Sequence, residues 1–558
     1  MSKRAFYALV LWLLAFVGWL YAPVAHGDFL WDDWPSLKDL QGDQWLHYVF
    51  RDFNRWTYYF RPIPVALFAL QIKAFHSAPG PMHLVSLGLH LVNTALVGLL
   101  SHRCVRLSPM SQRLSPWLVL ACMAIYALHP ALIEPVVWIG LQTDLLVTLF
   151  TLSGLLVATT VQPRIPRAIA LALIFFVAAC TKEAASVFPL LVLLFDWILL
   201  GQESRRPSVG TSTSALLLRN WPAYAAMFTS GLFYLGLRHW ALGHAVYPNA
   251  TESASWVARY QEICLVYFSY LKVILWPIAG MGPLHPVDPS QFGQLSLASV
   301  LTTVGATALL LAGLYLALRQ ASAVGYIIIA ATIALLPVLH ILPVTFERSL
   351  YHERYAMIAV AVSCSLLPLL NWGYLVDQSH SLSRLGRVAT AVVIFIWLAF
   401  SAIDIRVILP KWSSDTTLWR WALDLDPGSM QARDNLLLTY IQTGHYAEAH
   451  QLGDQFLREP VACVSCLLHY ARFALDQGNP ASAQAALQRT EHSLLVRRSK
   501  DAKQLHALQS GRLLAMQGRF TEAKAALETA VALDPDDEQA RKELTDVSAQ
   551  VKRLDEAH

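Results

Sequence analysis

Charge is what this chain has least of. Only 14% of its 558 residues are Asp, Glu, Lys or Arg, against about a quarter in an ordinary soluble domain, and the deficit is uneven. From residue 1 to about 410, polar residues are short breaks between apolar runs. From about 411 to 558, charges occur throughout. This change divides the chain into two domains, 1–410 and 411–558. Net charge is small as well, at +4, which gives no reason to expect nucleic acid as a partner. The seven cysteines are scattered. Cys104, Cys122, Cys180, Cys264 and Cys364 lie in or beside apolar stretches and read as small core residues. Cys463 and Cys466 form a CxxC that lacks both a second ligand pair for zinc and a thioredoxin-like context. A disulfide remains for that pair if its domain faces an oxidising compartment.

What fills the first domain is long apolar sequence: 55% of the chain is hydrophobic and mean hydropathy is +0.43. A crossing helix needs about 20 mostly apolar residues, and about thirteen stretches between residues 5 and 409 approach that requirement. The first follows Lys3 and Arg4. It has some signal-peptide character but is long enough to cross, and is read as an uncleaved span. Short loops rich in Lys and Arg face the cytoplasm. Applied to Lys3 and Arg4, to Arg103, Arg106 and Arg113, to Arg164 and Arg167, to Arg205, Arg206 and Arg219, to Arg319, and to Arg384 and Arg387, the rule is self-consistent on one condition. Segments 62–76 and 260–280 must stay on the outer face as interfacial or re-entrant helices. The expectation is then about eleven crossings, with the N-terminus inside and the C-terminus outside.

The second domain has a period. Gly444, in Thr443-Gly444-His445-Tyr446-Ala447-Glu448-Ala449, is followed 34 residues later by Gly478. A third copy is Gln517-Gly518-Arg519-Phe520-Thr521-Glu522-Ala523. This is the period of the tetratricopeptide repeat, in which a glycine serves the tight turn between paired helices. Pro460 and Pro535 close repeats, and the charge-rich segment 536–553 reads as a capping helix. Such stacks bind peptides or partner proteins on a concave face; a generic array of helical hairpins is the plainer reading.

The unusual polar clusters all fall in the expected outer loops. Asp28-Phe29-Leu30-Trp31-Asp32-Asp33-Trp34 places two adjacent carboxylates at the membrane surface. They suit a general base or a metal ligand, or else a solvated loop start with interfacial tryptophans. In Tyr58-Tyr59-Phe60-Arg61-Pro62 the arginine can bind phosphate through paired hydrogen bonds or snorkel to lipid headgroups. His129 and Glu134 share a proline-flanked turn. Asp144 stands in an apolar span, where an acid is costly and therefore a functional candidate. Lys182 and Glu183 either mark a tight turn with paired charges or meet a phosphate or pyrophosphate. In Glu347-Arg348-Ser349-Leu350-Tyr351-His352-Glu353-Arg354-Tyr355, arginines on the outer side run against the positive-inside tendency, which points to anion binding.

In order along nearly the whole chain, several stretches resemble the tetratricopeptide-containing transmembrane O-mannosyltransferase family and its bacterial relatives, within the GT-C class of membrane glycosyltransferases. They are Phe29-Leu30-Trp31-Asp32-Asp33, Phe60-Arg61-Pro62, His83 to Asn93, Leu128-His129-Pro130 with Glu134, Trp138 to Asp144, Thr181-Lys182-Glu183, Glu353-Arg354-Tyr355 and the repeats. The resemblance implies an all-α protein: a GT-C-like transmembrane bundle of about eleven spans with a C-terminal tetratricopeptide solenoid. It implies a polyprenyl-phosphate-linked sugar as donor, a hydroxyl of a protein or glycan as acceptor, and a site on the outer face. From its position within the class, Asp32 is expected as general base, with Asp33 as second candidate. Arg61, Lys182, Arg348 and Arg354 are expected at the donor phosphate. His129, Glu134, Asp144, Glu183, Glu353 and Tyr355 are expected around the pocket. No metal ligand is assigned, and a divalent cation stays open. The short repeat array and compact loops depart from the animal members. They favour a bacterial inner membrane with the repeats in the periplasm, binding an acceptor or a partner protein, and they leave the sugar open. Two other classes compete. One is a non-catalytic membrane scaffold presenting repeats to periplasmic partners. The other is a transporter with Asp144 in its path, which expects repeated halves among the spans; no clear internal repeat occurs there.

Overall fold

The computed structural model describes residues 2–42, 45–51, 59–112, 114–161, 163–203, 209–245, 255–277, 280–287, 291–341, 349–372 and 381–557. Regular structure among them is helical throughout. The chain forms two compact units, Met1–Ser414 and Asp415–His558, dividing four residues beyond the change in composition.

In the first unit the principal helices are α1 (Lys3–Tyr21), α2 (Asp33–Leu40), α3 (Pro62–Phe75), α4 (Pro79–Leu107), α5 (Ser115–Ala127), α6 (Gln142–Thr160) and α7 (Arg164–Ala179). They continue as α8 (Phe188–Glu203), α9 (Val209–Leu242), α10 (Trp256–Leu275), α11 (Leu297–Arg319), α12 (Ala323–Leu335), α13 (Met357–Leu366) and α14 (Ser381–Ile408). Their starts carry local signals. Ser2 and Ser255 cap α1 and α10, Ser296 and Ser299 form a reciprocal capping box on α11, and α3, α4 and α5 open with proline in the first turn, where its missing N–H costs nothing.

Among the described residues, six stretches are long and apolar enough to cross a bilayer: Lys3–His26, Pro79–Leu107, Ile139–Thr160, Glu183–Leu200, Leu297–Arg319 and Leu385–Trp412. A seventh arises if Ser115–Ala127 and Pro130–Val137, bent by 55° between them, act as one. This differs from the expected eleven, for two physical reasons. Helices α7, α12 and α13 have 16, 13 and 10 residues, so at about 1.5 Å per residue they fall short of a hydrocarbon core about 30 Å thick. Helices α9 and α10 are long but polar, carrying Arg219, Asn220 and Arg238, and Arg259, Glu262 and Lys272. All ten residues of α13 are buried, the signature of a core helix rather than a lipid-facing one.

Close packing rests on small residues. A Cβ on Gly98 of α4 would stand 2.5 Å from the Met123 sulfur of α5, and one on Gly154 of α6 would stand 2.2 Å from the ring of Phe188. Deeper in the bundle Arg167 of α7 pairs with Asp196 of α8 at 2.5 Å, and Tyr224 of α9 donates to the other Asp196 oxygen at 2.8 Å. The cost of burying these charges is offset by mutual pairing.

The second unit contains α15 (Asp415–Leu425), α16 (Met430–Gln442), α17 (Tyr446–Arg458), α18 (Val464–Asp476), α19 (Pro480–Thr490), α20 (Lys500–Met516), α21 (Phe520–Leu533) and α22 (Glu538–Ala557). Three hairpins, α16–α17, α18–α19 and α20–α21, turn in the same way. Gly444, Gly478 and Gly518 adopt φ of 75°, 70° and 77°, and the residue after each donates its N–H to the carbonyl five back, on Tyr440, Ala474 and Leu514. This is the Schellman closure, which favours glycine in the left-handed position. Within the unit Cys463 and Cys466 form a disulfide.

Candidate active site

The first unit encloses a cavity of about 1590 Å³, larger than most small-molecule pockets. Its construction begins with a strained turn. Trp31 adopts φ of 45°, a backbone conformation that costs a bulky residue energy. Its indole is stacked on Trp138 at 5.3 Å. The turn sends neighbouring acids in opposite directions. Asp32 is exposed and lines the cavity. Asp33 is fully buried, its carboxylate accepting from the N–H of Leu30 at 3.1 Å and of Gly140 at 2.7 Å. Asp33 is thus a brace between the first loop and the segment ahead of α6, and the expectation of a second base there is corrected.

The cations gather from distant parts of the chain. The Ile63 N–H donates to the carbonyl of Cys180, which holds the start of α3 beside the turn after α7. Across that junction Glu183 Oε2 accepts from Arg61 Nε and Nη2 at 3.0 and 2.7 Å. Its Oε1 accepts from Arg238 Nη1 at 3.0 Å. Arg238 is positioned by α9, whose Tyr234, one turn earlier, donates to the Phe60 carbonyl at 3.3 Å. Lys182 Nζ lies 2.6 Å from both oxygens of Asp144. Asp144 occupies the first turn of α6, at the end of its span rather than in the middle, where the helix dipole also favours an acid. Arg354 pairs with Glu134 through Nη1 and through its backbone N–H, and its guanidinium lies over the rings of Tyr355 and Trp138. Burial pulls Lys182 down to about 8, opposed by Asp144 and reinforced by Arg61 and Arg354. Burial, then Arg354, His285 and Lys182, push His352 well below its ordinary value, so this lining residue is neutral at pH 7.

Of the residues expected from the sequence, Asp32, Arg61, Asp144, Lys182, Glu183, Arg354 and Tyr355 line the cavity. Glu134 stands behind Arg354. His129 does not line it: its Nδ1 accepts from the Ala131 N–H, so Nε2 carries the proton and donates to the Ile274 carbonyl at 3.0 Å. Glu353 is a brace, accepting from His285 Nε2 at 2.7 Å and from the Gly282 N–H at 3.1 Å. Arg348 lies outside the described residues. Sequence reasoning missed Arg238, Asp196 and Tyr224. An acid inside the apolar run Phe195-Asp196-Trp197 is a readable signal; Arg238, in a polar stretch of a long helix, carries none. Among the described residues no three His, Cys, Asp or Glu side chains group as metal ligands.

The far part of the cavity is apolar. From Arg238 it follows α9 past Leu235, Leu232, Phe228 and Met227 to Leu217, about 30 Å of helix, with Leu190 and Leu193 of α8 opposite. The space is thus amphiphilic, with cations and Asp32 at one end and a hydrocarbon-like channel at the other. Comparison with family models, with curated proteins and with solved structures finds no match to this chain.

Proposed function

We propose that this chain is an integral membrane glycosyltransferase of the GT-C class, moving a sugar from a polyprenyl-phosphate-linked donor to a hydroxyl of a protein or glycan on the non-cytoplasmic face. The observation that carries this reading is the amphiphilic cavity. A prenyl chain matches the apolar channel along α9, its phosphate matches the cationic end, and the sugar then falls beside Asp32. In the reaction Asp32 takes the proton of the acceptor hydroxyl as that oxygen forms the new bond to the anomeric carbon. The bond from that carbon to the phosphate oxygen breaks, and its electron pair leaves with the lipid phosphate, whose growing charge the cations stabilise.

Charge balance supports a monophosphate. Among the described residues, the buried cations Arg61, Lys182, Arg238 and Arg354 meet the carboxylates Asp144, Glu183 and Glu134, a surplus of one positive charge. A sugar–phosphate–lipid diester carries one negative charge. After transfer the leaving phosphate carries about two, and Asp32 has lost its own charge by protonation. A diphosphate carrier would bring one charge too many at each stage.

The eleven-span topology, the tetratricopeptide nature of the three hairpins, and a bacterial inner membrane with a periplasmic second unit belong to the same reading, with the hairpins recruiting the acceptor. The hairpins also support a second reading, a membrane-anchored scaffold without catalysis. Intact-mass analysis of periplasmic and surface proteins, from cells carrying the wild-type chain or Asp32→Asn, separates the two. A sugar-sized mass present only with the wild type is the expected result. Unchanged masses, together with unchanged glycans and lipids and normal expression of the variant, would reject the enzyme and leave the scaffold.

A further inference from the structure

Resting on that reading, we propose that Arg61 and Arg238, held together by Glu183, are the clamp that grips the donor phosphate, while Lys182 and Arg354 are not. Each of the latter has a carboxylate of its own. Lys182 is chelated symmetrically by Asp144, and Arg354 is held by Glu134 from both its side chain and its backbone. Taking either cation for a phosphate would strip a buried carboxylate of its partner, which is costly at that depth. Arg61 and Arg238 instead share one carboxylate. Glu183 takes two of the five N–H donors of Arg61 and one of those of Arg238. The surplus positive charge of the site therefore resides on this pair.

The geometry around Glu183 agrees. Its side chain is 36% exposed, against 19% for Arg61 and 9% for Arg238, so the shared carboxylate is the accessible member and a ligand reaches both guanidiniums beside it. Arg61 is further steadied by Tyr59, whose ring centroid lies 3.9 Å from the guanidinium carbon. Glu183 then acts as a placeholder. It keeps two cations from repelling each other in the empty site and limits their pull on anions, so that the spent lipid phosphate can leave. Arg238 also begins the apolar channel on α9, which puts the clamp at the junction where head and tail of an amphiphile part.

The test is equilibrium binding of farnesyl phosphate, with farnesol as its phosphate-free counterpart, to the full-length protein in nanodiscs. The wild type should prefer farnesyl phosphate. Arg238→Gln should weaken that binding about 10- to 100-fold, the range for losing a charge-assisted contact, and Arg238→Lys should fall between. Glu183→Gln should tighten it, a gain that damage to the fold does not produce. Wild-type affinity in Arg238→Gln, or no tightening in Glu183→Gln, would overturn the clamp while leaving the donor class intact. A wild type that does not distinguish the phosphate from the alcohol would overturn the donor reading itself, and the clamp with it.

Discussion

At the scale of single residues, the two adjacent acids of the first loop show how little chemical type alone decides. Asp32 and Asp33 are the same side chain one position apart, yet one lines a cavity and the other accepts two backbone N–H groups out of solvent. Lys182 makes the parallel point for a cation, because its neighbours set its proton affinity. With its value lowered to about 8, it loses its proton in the folded protein while an exposed lysine of ordinary value near 10.4 still holds one. Raising the pH through 8 therefore leaves the carboxylate of Asp144 without a counter-ion and makes the cationic end of the cavity more negative. Affinity for an anionic lipid should fall with a midpoint near pH 8. Lys182→Arg, which keeps its charge, should remove that limb. A titration of farnesyl phosphate binding between pH 6.5 and 9.5 checks both, and an unchanged limb in the variant would assign it to another group.

At the scale of elements, glycine does two separate jobs in the second unit. Gly444, Gly478 and Gly518 supply a left-handed turn and have open space where a Cβ would go, so alanine there meets only the backbone cost of about 1 kcal/mol. Gly453 is different. A Cβ on it would stand 2.1 Å from the ring of Tyr470, a fully buried side chain that donates to Asp454 at 2.8 Å. The α17–α18 contact is built around that missing atom. Gly453→Ala should cost about 2 kcal/mol or more and lower Tm by about 5–10 °C, against a much smaller shift for Gly444→Ala. Thermal melts followed by circular dichroism compare the two. Equal shifts would mean that the turn, rather than the packing, limits stability.

At the scale of the molecule, the division at Ser414 separates two kinds of burial. The first unit exposes long apolar helix faces, including Leu301, Val304, Leu311 and Tyr315 of α11 and Val393 and Phe395 of α14. The second has its own apolar core around Leu508, Leu527, Ala530 and Val547. Residues 415–558 produced alone should be soluble, helical by circular dichroism and cooperative in thermal unfolding. Aggregation or a broad, non-cooperative melt would show that the second unit depends on the first.

Much of this was legible in the sequence because it is local. Apolar runs, the change in composition near residue 410 and the spacing of Gly444 and Gly478 depend only on neighbours along the chain, as do caps and turn signals. The loops that supply Asp32, Arg61, Lys182 and Arg354 could be singled out for the same reason, since a charge beside an apolar run stands out. Partnership could not be read in this way. Arg354 meets Glu134 across 220 positions, Arg61 meets Glu183 across 122, and Asp33 meets Gly140 across 107. No periodicity encodes such pairs; they follow from how the helices pack. The sequence by itself determined the two-part organisation, the helical class and the chemical types around the cavity. Only the tertiary structure decided which acid faces that cavity, which cations are already neutralised, and that Arg238 joins them, because charge balance in a buried site belongs to the assembled set of side chains and not to any one of them.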